Sequence, residues 1–230
     1  GYPCETSELK QAVIDWLSNQ HQWVVQPDDI MMVPGVICGF NLVSHAVTQP
    51  GDEFLLPTPA YPPFFGVQKN AQLEKRGTEM VLGSDNRYTI DFDQFEAAIT
   101  PKTKVFMLCN PHNPTGRVFT RQELEKMAEI CLRHNVLICS DEIHHDIVFS
   151  ESKHVTIASL SKEVQEKSST ILAPSKTFNI AGLTSSIIVC TDPEMRNRLE
   201  NTKQGLMGWV NIFGQVATTA AYREGKDWLD

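Results

Sequence analysis

Hydrophobic positions recur along this chain with two alternating periods. Leu9, Ala12, Val13, Trp16 and Leu17 fall at i, i+3, i+4, i+7 and i+8, the spacing that gathers apolar side chains on one face of a helix. Ile30 to Val33 is a short apolar run ending at the turn Pro34-Gly35, and a second helix is predicted from about Ile37. Glu53 to Leu56 reads as a strand, after which P-T-P-A-Y-P-P-F interrupts regular structure, because each proline removes a backbone donor. Val105 to Cys109 is a buried-type strand that breaks at N-P-H-N-P-T-G. Thr120 with Glu123 three residues on forms a capping box, and Leu124, Met127, Ala128 and Cys131 make the apolar stripe of the helix it starts. Val136 to Ser140, with Asp141 at its C-terminal end, Thr170 to Ala173 and Ser186 to Cys190 supply three more strands. The tail from Asp192 is helical in character. Such alternation predicts helices on both faces of a mostly parallel mixed sheet, a three-layer α/β/α sandwich. No repeat or linker divides residues 1–230, so a single domain is expected.

Composition narrows the partners. A chain of 230 residues with 41% hydrophobic and 21% charged residues can bury a sizeable core. Its net charge of -8 counts against nucleic acid or an anionic membrane as the main partner, since both want a basic face. The six cysteines (4, 38, 109, 131, 139 and 190) form no C-x-x-C pair, and several lie in apolar runs. They predict reduced core thiols of a cytoplasmic protein rather than a disulfide framework or a zinc site. No signal peptide and no membrane-length apolar run is present. The chain opens on Gly1-Tyr2 without an initiator Met and stops at W-L-D, which reads as a piece of something longer.

In open α/β sheets ligands collect at the carboxyl ends of the strands. There the sequence places Gly35-Val36, Tyr61, Asn110 and Asn113, Asp141 and His144, and Ser175-Lys176. A Walker A lysine motif and a G-x-G-x-x-G are both missing, so the usual nucleotide fingerprints do not apply. The cluster D-E-I-H-H-D suggests a metal centre at first sight. Strand-type alternation would split Asp141, Glu142, His144 and His145 between two faces, so no metal site is expected.

N-P-H-N-P-T-G, S-D-E-I-H and A-P-S-K-T-F-N-I-A-G-L, in this order, resemble the fold-type I pyridoxal-phosphate (PLP) enzymes of the aminotransferase class I/II family. Within it the chain is most similar to the MalY/PatB type of cystathionine β-lyase, a carbon–sulfur lyase. Asn113 and Asp141 are 28 positions apart and Asp141 and Lys176 are 35 apart, both as the family requires. The resemblance runs over the whole chain. It implies the PLP-binding large domain of that fold, with a preceding N-terminal arm and a following small domain missing from residues 1–230.

Most lysines are solvated surface groups. The resemblance instead makes Lys176 the Schiff-base lysine, which needs a desolvated amine to stay nucleophilic and can then move the substrate's Cα proton. A carboxylate at a strand end can be a simple turn residue. By resemblance Asp141 pairs with the pyridine nitrogen and keeps it protonated. Asn113, a natural turn residue ahead of Pro114, is implied to donate to the cofactor's phenolic oxygen. Tyr61 is implied to stack on the ring, and His144 stands where many aminotransferases place a tyrosine facing the same oxygen. Gly35, Val36 and Ile37 open a helix whose backbone amides suit a phosphate, with Ser175 adding a hydroxyl. Tyr2 resembles a tyrosine that reaches the phosphate of the partner subunit, which implies a homodimer.

Two departures bear on the reaction. Many class I/II aminotransferases carry an arginine eight residues after the lysine, where this chain has Thr184, and a serine or threonine where it has Ala173. Both point from the common aminotransferases towards the lyases, with cystathionine or a cysteine-like amino acid as substrate and thiol, pyruvate and ammonia as products. An aminotransferase is the alternative within the fold. A PLP-fold regulatory or binding module without turnover is the alternative outside catalysis, and the joint presence of Asn113, Asp141 and Lys176 counts against it.

Overall fold

The strand signals assemble into one seven-stranded sheet with a small hairpin beside it. The computed structural model describes residues 2–230, and Gly1 lies outside the described residues. The strands are β1 (Ile30–Val33), β2 (Glu53–Leu55), β3 (Glu74–Arg76), β4 (Val81–Leu82), β5 (Tyr88–Thr89), β6 (Thr103–Cys109), β7 (Leu137–Asp141), β8 (Ser168–Leu172) and β9 (Ser186–Val189). The main sheet runs β1-β9-β8-β7-β6-β2-β3, and β4 pairs with β5 apart from it. Pairing from β8 through β7, β6 and β2 to β3 is parallel, whereas β9 is antiparallel to both β1 and β8. The sheet is therefore mixed and mostly parallel. Its six co-directional strands release their chain ends along one edge.

Side-chain alternation along the strands builds the three layers. Val105, Met107 and Cys109 of β6 join Phe40 and Val43 of the Val36–Val47 helix and Met195 and Leu199 of the Pro193–Lys203 helix. Phe106 and Leu108 point into the opposite layer with Leu124, Met127 and Cys131 of the Arg121–Arg133 helix. Beside that layer, Leu9, Val13 and Trp16 of the Ser7–His21 helix and Tyr222 of the Ile212–Glu224 helix cover Met32, Leu172 and Ile187. Phe106 is fully buried and meets Phe95 edge to face, with ring centroids 5.0 Å apart. Removing that ring is expected to lower stability by about 3–5 kcal/mol. Urea denaturation of Phe106→Ala checks this.

Helix signals translate closely. Thr6 caps the first helix, its hydroxyl accepting from the Leu9 amide at 3.1 Å, and the Thr120–Glu123 capping box forms as expected. Strand ends move by one or two residues, the ordinary slack of such boundaries. Three elements carry no apolar period and escape the sequence reading. β3 is the exposed run E-K-R at the sheet edge, where charge discourages pairing with other chains. The β4–β5 hairpin is two residues on a side, all exposed but the half-buried Tyr88, and the Phe92–Ala97 helix starts from Asp91, which accepts from the Asp93 and Gln94 amides. Cysteine burial is also narrower than expected: Cys109, Cys131, Cys139 and Cys190 are core residues, but Cys4 is exposed and Cys38 half-buried. All six are free thiols. Among the described residues no helix is long and apolar enough to cross a membrane.

Candidate active site

Four neighbouring parallel strands deliver the predicted residues. β7 ends on Asp141 itself, in register with Cys109 of β6 and Ile171 of β8. After β6 the two asparagines of N-P-H-N-P-T-G part company. The Asn110 side chain is buried, accepts from the Phe119 amide at 3.1 Å and donates to the Val155 carbonyl at 3.4 Å. The loop closes on itself through His112 and Arg117 amide–carbonyl bonding at 2.7 Å and a turn at Gly116, whose φ of 70° suits glycine. Asn110 thus shapes the loop, and Asn113 is left facing the sheet edge. Beyond β8, Pro174 opens the four-residue helix Pro174–Thr177 that carries Lys176. Tyr61 follows β2 and stands edge-on to Phe64, with ring centroids 6.0 Å apart.

These paths meet at a cavity of about 120 Å³ lined by Tyr61, Cys109, Asn113, Asp141, Ile143, His144 and Lys176. Five of the seven are predicted site residues. Cys109 and Ile143 are the two that sequence reasoning missed, and β6 alternation ending next to Asn110 was the available signal for Cys109. Asn113 and His144 also face a larger cleft of about 520 Å³, whose walls include Ile147, Val148 and Phe149.

The electrostatics of the cavity centre on Asp141. Burial pushes its carboxyl up to about 7, helped by the neighbouring Glu142. The Ile143 amide, which donates to Asp141 Oδ1 at 3.3 Å, and the charge of Lys176 pull the other way. Burial also lowers the His144 imidazole, with the Lys176 charge acting in the same sense, and raises the Cys109 thiol well above its usual range. A neutral imidazole, a neutral thiol and a carboxyl short of positive partners therefore share one cavity with an amine.

The remaining expectations fare unevenly. Lys176, on the short helix Pro174–Thr177, lines the cavity and is exposed within these residues. Gly35 caps the Val36–Val47 helix at a φ of 105°, with no side chain bonded to the first-turn amides. Gly35, Val36 and Ile37 sit at the C-terminal end of β1 and do not line the cavity, nor does the half-buried Ser175. Tyr2 is 85% exposed and packs on Trp209, with ring centroids 5.3 Å apart, away from the cavity. Thr184 is exposed in a left-handed conformation at a φ of 45°. Arg117 is bound to Glu123 at 2.6 Å and to the Tyr88 carbonyl, so it is not free to receive a substrate.

A mostly parallel sheet that brings an amine, a buried carboxyl, an amide and an aromatic ring to one carboxyl edge defines a three-layer α/β protein with a strand-end ligand site. The chain belongs to the aminotransferase class I and II family, whose profile matches residues 2–229. It is 40% identical over its full length to the cystathionine β-lyase PatB of Bacillus subtilis, covering 60% of that protein. It is 33% identical to an aspartate aminotransferase of a Bacillus species, with 76% of this chain and 44% of the relative aligned. Among solved structures, cystalysin of Treponema denticola, which contains pyridoxal 5′-phosphate, superposes with a TM-score of 0.95 at 35% identity, covering all of this chain and 59% of that one. The chain thus spans about 60% of the length of the cystathionine β-lyases it matches first.

Proposed function

We propose that this chain is the PLP-binding large domain of a carbon–sulfur β-lyase acting on cystathionine or a cysteine-like amino acid. The observation that carries the reading is the meeting of Lys176 and Asp141 in one cavity. The donor set fits the cofactor. Asp141 is buried with a single amide donor and no cation in contact, which suits a protonated pyridine nitrogen. Asn113 and Tyr61 stand at the same cavity, and the uncapped amides at Gly35 to Ile37, with the Ser175 hydroxyl, suit a phosphate.

Pyridoxal phosphate supplies a carbonyl for an amine and an electron-accepting ring that acidifies the substrate's Cα–H. The chain's own residues do the rest. Lys176 would hold the group through its amine and is the base placed to take the substrate's Cα proton. Asp141 would retain a proton at the ring nitrogen, and Asn113 would donate to the phenolic oxygen. Tyr61 would cover one ring face and keep water from it, while His144, its imidazole favoured in the neutral form by burial, would offer a hydrogen bond at the same oxygen. Departure of a thiolate from Cβ, with water, then yields thiol, pyruvate and ammonia.

The reading includes a cytoplasmic homodimer in which Tyr2 reaches the partner's cofactor. Six free thiols and the exposed apolar group of Tyr2, Trp209, Ile212 and Phe213 support it. The aspartate aminotransferase relative favours transamination as the second reading. Thr184 and Ala173 weigh against it.

Incubating the full-length protein with cystathionine, with and without a 2-oxo acid, separates the two. Pyruvate and free thiol are expected without any acceptor, and product that forms only with the acceptor would sink the lyase. Borohydride reduction of the same holoenzyme is expected to label Lys176 alone on peptide mapping.

A further inference from the structure

Glu142 and His145, from the same D-E-I-H-H-D segment as Asp141 and His144, do not line the cavity. They meet two residues from distant parts of the chain. His21 closes the Ser7–His21 helix, His145 lies in the turn after β7, and His154 lies in the loop ahead of Ile157. Their ring centroids are 4.2 Å apart for His21 and His145, 5.7 Å for His21 and His154, and 6.0 Å for His145 and His154. One ring nitrogen from each lies within 4.8 Å of the other two. The side chains are 7%, 0% and 3% exposed in chain order.

Two buried carboxylates back this group. Glu142 Oε2 is 2.9 Å from His154 Nε2, and Asp146 Oδ1 is 2.8 Å from His21 Nε2. His145 Nε2 is 3.0 Å from Asp146 Oδ2 but out of line for a hydrogen bond, so both His145 nitrogens, and His154 Nδ1, are buried without a hydrogen-bond partner. A cluster serving only to join helix to loop would account for His21 and His154. It would leave His145 without a use for either nitrogen, and buried polar atoms in native proteins rarely go unmatched.

We propose that His21, His145 and His154 form a binding site for a divalent cation of the zinc class. Imidazoles favour zinc and its first-row neighbours over magnesium or calcium, which prefer all-oxygen sites. Ring nitrogens held from behind by carboxylates, with the opposite nitrogen free, are the usual support of metal-ligating histidines. Glu142 has that position at His154. Asp146, bound to His21 and 3.0 Å from His145, is the second buried carboxylate against the cluster, and together the two carboxylates balance a doubly charged ion, with water left as the fourth ligand. Asp146 also accepts from Trp16 Nε1 at 3.1 Å and Thr177 Oγ1 at 2.8 Å. A cation here ties the first helix to the turn bearing His144 and to the residue after Lys176, so it is a structural ion beside the cofactor pocket.

The test uses the full-length holoenzyme dialysed against Co²⁺ and then Zn²⁺. Co²⁺ is expected to bind one ion per chain with the intense visible bands of tetrahedral coordination, and Zn²⁺ is expected to displace it. His145→Ser and His21→Gln should each abolish stoichiometric uptake, while Glu142→Gln should weaken it roughly 10–100-fold. Octahedral bands, no uptake, or equal uptake by the parent and His21→Gln would overturn the proposal. His21 ends a helix, so its variant decides the matter even if the buried His145 variant fails to fold. Borohydride labelling of Lys176 in His21→Gln should be unchanged, which keeps the fate of this site separate from that of the cofactor.

Discussion

Lys176→Ala is expected to leave the full-length protein folded and to reduce lyase turnover by roughly 10⁴-fold, since on the proposed mechanism it removes both the covalent anchor and the base that moves the Cα proton. The stability side of this expectation comes from position. Lys176 is exposed on a short helix whose backbone is held by the Phe178 amide donating to the Pro174 carbonyl at 2.8 Å. Surface substitutions of this kind shift stability by about 0.5 kcal/mol or less. Pyruvate release and a thermal melt on the same preparation check both halves. A variant that melts like its parent and still turns over cystathionine at a comparable rate would remove Lys176 from the chemistry.

Asp141→Asn is the second large effect, and it acts on activity and stability in opposite directions. With Asp141 in its proposed role of keeping the ring nitrogen protonated, losing it is expected to lower turnover by about 10²–10³-fold, the scale for removing one preorganised electrostatic partner. In the cofactor-free protein the same change stabilises. Burial raises the Asp141 carboxyl from 3.8 to about 7 in the folded chain. The folded state therefore holds a proton that the unfolded state has lost between those values, and wild-type stability falls as pH rises from about 4 to about 7. Asparagine has no charge to desolvate and keeps an oxygen for the Ile143 amide. Its advantage is absent near pH 4 and full above pH 7. Denaturation of the two cofactor-free proteins at acid and alkaline pH measures the difference; equal stability at both would show that the carboxyl is not strained by burial.

Much of this architecture is legible in the sequence because the informative elements are those with one buried face. The first helix and the helix after Thr120 carry apolar stripes and caps, and β6 and β7 are apolar runs bounded by turn residues. The site residues at strand ends follow from those strands and from the spacing of Asn113, Asp141 and Lys176. Elements with no buried face, such as E-K-R at β3, leave no periodic trace. Lys176 shows a different limit. Its phrase A-P-S-K-T-F singles the residue out by resemblance, but its exposure depends on what packs above the helix, which no local pattern encodes. The histidine cluster illustrates a third. Strand alternation would set Asp141 with His145 and Glu142 with His144, but β7 stops at Asp141 and the turn that follows it brings His144 to the cavity and His145 to the histidine cluster, which His21 and His154 join only through tertiary packing.

The parallel run β2, β6, β7 and β8 also sets when the cavity comes into being. Each neighbouring pair is joined by a long crossover: Phe54 pairs with Val105, Val105 with Leu137, and Ile138 with Ser168. Contacts this remote along the chain close late and slowly, because loop-closure entropy must be overcome before pairing brings any gain. Tyr61, Asn113, Asp141 and Lys176 acquire common walls only when the last of these strands docks. Capture of the cofactor is therefore expected to follow folding. Added pyridoxal phosphate should slow unfolding of the finished protein while leaving its refolding rate unchanged.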